Sequence, residues 1–130
     1  MNTKLLMTLS AIFTGALGLL LSFLPKEIDQ LLNAEANNSS LLFLQLLSAL
    51  YLGFAIMNSM AKGSIIGGIY NRPLAIGNLM HFGVGTIALI KIVKSINIHT
   101  EIVISLAVIY AIFTAGFAYV FIHNPIKENR

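Results

Sequence analysis

Asparagine, histidine and arginine are the residue types that could do chemistry in this strongly apolar chain, and they gather at Asn58, Arg72, Asn78 and His81. Asn78 and His81 stand three apart, so on a helix they share one face. Polar side chains in an apolar medium turn inward and need partners. Together they offer amide, imidazole and guanidinium groups, a set suited to an anionic head group or a quinone-like carbonyl. The competing reading is structural. Asn58, Asn78 and His81 would then hydrogen-bond across helices to fix their register, at ~0.6 to 2 kcal/mol per bond, while Arg72 and Lys62 snorkel and mark the membrane boundary.

Other chemistries fail on spacing. The stretch "AKGSIIGGIYNRPLAIGNLMHFGVG", Ala61 to Gly85, holds six glycines. It contains neither the dinucleotide nor the P-loop pattern, and it follows an apolar helix instead of a strand. Gly63 to Gly67 fits G-x-x-x-G but falls in a connection, where glycine serves a turn. His81 lies inside a span, whereas His99 and His123 fall in a connection and at a boundary, so no two of them meet at one depth to hold a haem. Neither a metal-ligand cluster nor a cysteine is present in the sequence, which removes thiolate zinc, iron–sulfur and thiol chemistry. The spans as drawn below lack Asp, Glu and Lys, so an intramembrane acid–base mechanism has no carboxylate to work with. The expectation is a non-enzymatic protein with no catalytic residue, cofactor or metal. The net charge of +3 is carried by scattered Lys and Arg, which form no basic stripe for nucleic acid.

The elements that must position these residues follow from hydropathy. The chain is 57% hydrophobic and 10% charged, with a mean hydropathy of +0.85. Its charges sit in short clusters between uncharged runs near the ~20 residues a helix needs to cross a bilayer. Those runs predict spans over 5–24, 41–60, 74–90 and 102–122. The first is longer than the ~7 to 15 apolar residues of a signal peptide, so it reads as a retained membrane helix. Residues 25–40 form a loop with a short amphipathic turn around Ile28, Leu31 and Leu32, and its Asn-Asn-Ser-Ser end is a helix-starting cap. Pro73 suits the first turn of the third span. The fold class is all-α, a transmembrane antiparallel four-helix bundle forming one membrane domain over 1–130.

Lys4, Lys62, Arg72, Lys127 and Arg130 fall on one side of such a bundle, five cations against the three of Lys26, Lys91 and Lys94. Cytoplasmic loops carry the excess, so both termini are expected to face the cytoplasm. Small residues at four-residue spacing let membrane helices approach closely, which points to Ala11 and Gly15, Ala49 and Gly53, Gly83, Gly85 and Ala88, and Ala107, Ala111 and Ala115 as contact faces. The echo of "AIFTGA" at Ala11 in "AIFTAG" at Ala111 reads as chance, because the middle spans share no such match.

The segment "ALYLGFAIMNSMAKGSIIGGIYNRPLAIGNLMHF", Ala49 to Phe82, resembles small bacterial four-helix integral membrane proteins of the DoxX-like kind, some of which are associated with membrane redox complexes. The resemblance carries over no functional residue. Small multidrug exporters share the size but depend on a glutamate in the first helix, which is missing here. The leading expectation is a subunit or organiser acting through helix packing, its partners being the lipid bilayer and a membrane protein or a second copy of itself. The alternatives are a small-molecule or lipid binder or carrier using the Asn58, Arg72, Asn78 and His81 cluster on the cytoplasmic side, and an accessory subunit of a membrane redox complex.

Overall fold

The structure is a computed structural model that describes residues 2–32, 37–64, 71–93 and 99–123. The protein is all-α, with helices α1 (Thr3–Phe23), α2 (Pro25–Leu32), α3 (Asn38–Ala61), α4 (Arg72–Val93) and α5 (Thr100–Ile122). The four long helices run 21 to 24 residues, about 31 to 36 Å at 1.5 Å per residue, which is enough to cross a hydrocarbon core of ~30 Å. Each extends two or three residues past the expected span at one end or both. Charged residues mark the edge of the hydrocarbon, whereas the backbone hydrogen bonds continue through Arg72 and Lys91.

Local chemistry sets the ends. The Leu5 N–H donates to Asn2 Oδ1 at 3.1 Å and caps α1. Leu24 separates α1 from α2, its N–H still donating to the Leu20 carbonyl at 2.9 Å, and Pro25 fits the first position of α2, where no N–H is needed. The expected cap at the start of α3 is present: the Ser40 N–H donates to Asn37 Oδ1 at 2.8 Å, and the Asn37 N–H donates back to Ser40 Oγ at 3.3 Å. That reciprocal pair satisfies two donors the helix leaves open. Pro73 occupies the first turn of α4 as expected, and Lys91 in its last turn complements the helix dipole. His99, left-handed at φ 53°, turns the chain into α5.

The short amphipathic turn between the first two spans is the eight-residue helix α2. Its most buried described residue is Asp29, only 1% exposed, and the Ser40 hydroxyl shares its one hydrogen between Asp29 Oδ2 at 2.9 Å and the Asn37 carbonyl at 2.8 Å. The carboxylate thus rests over the first turn of α3, where the dipole favours negative charge.

The chain divides into two compact units, one from Met7 to Ala61 and one comprising Lys62 onward with the first six residues. In the first, α1 and α3 are antiparallel: Asn58 meets Ser10, Ala55 faces Gly15 and Ser48 meets the Gly18 carbonyl. In the second, α4 and α5 are antiparallel, with Phe82 stacked on Phe117 and Phe113 and Thr86 beside Thr114.

Small residues mediate part of this packing and not all of it. Ala11 is buried, Gly15 meets α3, and Gly83 and Gly85 meet α5, as expected, and Gly18, which the four-residue spacing does not pick out, meets α3 as well. Ala49 and Gly53 instead point outward, since the inner face of α3 runs through Ser48, Tyr51 and Asn58. Ala111 and Ala115 are likewise exposed, and so is Ala88. The inner face of α5 is taken by Val103, Tyr110, Phe113, Phe117 and Val120. Neighbouring positions on a helix differ by about 100°, so a bulky buried set one position away displaces the small-residue stripe.

Candidate functional site

Polar groups in each unit line the inner face and are built into hydrogen bonds from residues three and four apart. On α1, Met7, Ser10, Ala11, Thr14, Gly18 and Leu21 form the buried stripe. The Ser10 hydroxyl donates to the Met7 carbonyl at 3.0 Å, and the Thr14 hydroxyl to the Ser10 carbonyl at 2.8 Å. Asn58 Nδ2, fully buried, donates to Ser10 Oγ at 3.1 Å. Nearer the other end of the hairpin the Ser48 hydroxyl donates to the Gly18 carbonyl at 2.8 Å. That approach is close because Gly18 has no side chain; a Cβ there would press on Leu52.

The second unit places Asn78 and His81 one helical turn apart on α4, on a shared face as expected. Asn78 is fully buried, and its Nδ2 donates to the Leu74 carbonyl at 3.1 Å. The half-buried His81 ring lies edge-on to Phe82 at 4.9 Å and tilted against Tyr110 at 5.8 Å. Deeper in the hairpin the Thr86 and Thr114 hydroxyls are 3.1 Å apart, and each also reaches its own helix, at Phe82 (2.7 Å) and Tyr110 (2.8 Å). Two hydroxyl hydrogens are therefore shared among three contacts.

Arg72 stands apart from Asn78 and His81. It is the exposed first residue of α4, with its guanidinium 5.0 Å from the Phe121 ring centroid. Asn78 lies six residues further along the helix, about 9 Å along the axis. Asn58 belongs to the other unit, where it pairs with Ser10. The connection expected at 65–70 and Lys94, Lys127 and Arg130 lie outside the described residues.

Sequence reasoning passed over Ser10, Thr14, Ser48, Thr86 and Thr114. The signal was available for the first pair, because hydroxyls at positions 10 and 14 share the face of Met7, Ala11 and Gly18. It was faint for Thr86 and Thr114, since one threonine in an apolar helix is equally at home facing lipid while bonded to its own backbone.

Helices of this length and hydropathy, with many large apolar side chains exposed and Ser10, Thr14, Ser48, Asn58 and Asn78 buried, define a multi-pass helical membrane protein. Neither a protein-family profile, nor a curated protein, nor a solved structure matches the chain.

Proposed function

We infer that this protein is a non-enzymatic subunit or organiser of the cell membrane, with both termini on the cytoplasmic side, and that it acts through helix packing. The observation that carries this reading is the use made of the inward polar groups. Asn58 bonds to Ser10, Ser48 to the Gly18 carbonyl, and Thr86 lies on Thr114. Side chains so engaged fix the register of one helix against another. The orientation rests on the cation count, five against three.

Mild-detergent extraction followed by mass spectrometry tests it. The expected result is a membrane-protein partner, or a second copy, at fixed stoichiometry, retained when His81→Leu is introduced. A chain that emerges alone but with a tightly held metabolite, lost on Asn78→Leu or Arg72→Gln, would overturn the reading in favour of a carrier. Flavin, haem or quinone absorbance in the preparation would overturn it in favour of a redox accessory.

A further inference from the structure

We draw no further inference here: the strongest candidate, the apolar flank of α2 at Ile28 and Leu31 that the exposed Leu24 and Phe23 continue from the end of α1, is an unpartnered helix face, and nothing in the structure shows what covers it.

Discussion

Gly85 shows how much one missing side chain decides in this protein. A Cβ built on it would collide with the Cδ1–Cε1 edge of the Tyr110 ring, which is buried and packed edge-on to Phe82 at 5.2 Å. Gly53 is the counter-case, an exposed glycine whose Cβ would meet nothing within 4 Å. Gly85→Ala should therefore lower resistance to unfolding by about 1 to 3 kcal/mol, the usual cost of overpacking. Gly53→Ala should cost nothing and gain up to about 1 kcal/mol of helix propensity. Unfolding titrations with sodium dodecyl sulfate in mixed micelles compare the two, and equal losses would show that the α4/α5 contact does not depend on that close approach.

At the level of elements, α2 is the least anchored helix, too short to be stable alone in water. Asp29 ties it to α3 through the Ser40 hydroxyl, which belongs to the capping box of Asn37. Hydrogen bonds to an ionised group contribute about 1.5 to 3 kcal/mol. Asp29→Ala is accordingly expected to speed amide hydrogen exchange within α2 by roughly ten- to a hundredfold, while amides in the middle of α1 and α3 keep their protection. Unchanged exchange in α2 would mean that the carboxylate is not the tie.

Each unit keeps polar side chains within a largely apolar core and turns large apolar ones outward, unlike a water-soluble protein. Ser10, Thr14, Ser48, Asn58 and Asn78 are buried, while Phe43, Leu50, Ile87 and Ile112 are exposed. Water would penalise that distribution, and hydrocarbon rewards it. Because the chain has no cysteine, single cysteines report topology cleanly. With both termini cytoplasmic, Asn2→Cys should react with an impermeant maleimide only after the membrane is opened, and Gln30→Cys, exposed on α2, should react from outside in intact cells. The reverse pattern would invert the orientation, and labelling of both from one side would mean that α1 does not cross.

The amino-acid sequence by itself determined that long uncharged runs become helices, that they are membrane-length, and that Asn37, Pro25 and Pro73 punctuate them. Hydropathy, capping and proline chemistry act over a few residues, so they are legible without neighbours. It also determined that Asn78 and His81 share a face, a matter of helical pitch. Only the tertiary structure decided which face turns inward: Ser48, Tyr51 and Asn58 and not Ala49 and Gly53, and Phe113 and Phe117 and not Ala111 and Ala115. Tertiary structure also drew Asp29 beneath Ser40 and paired Asn58 with Ser10 across 48 positions of chain. Those choices depend on how side chains from distant segments fit each other, and in a membrane, where every face of such a helix is apolar enough to meet lipid, hydropathy is silent about them.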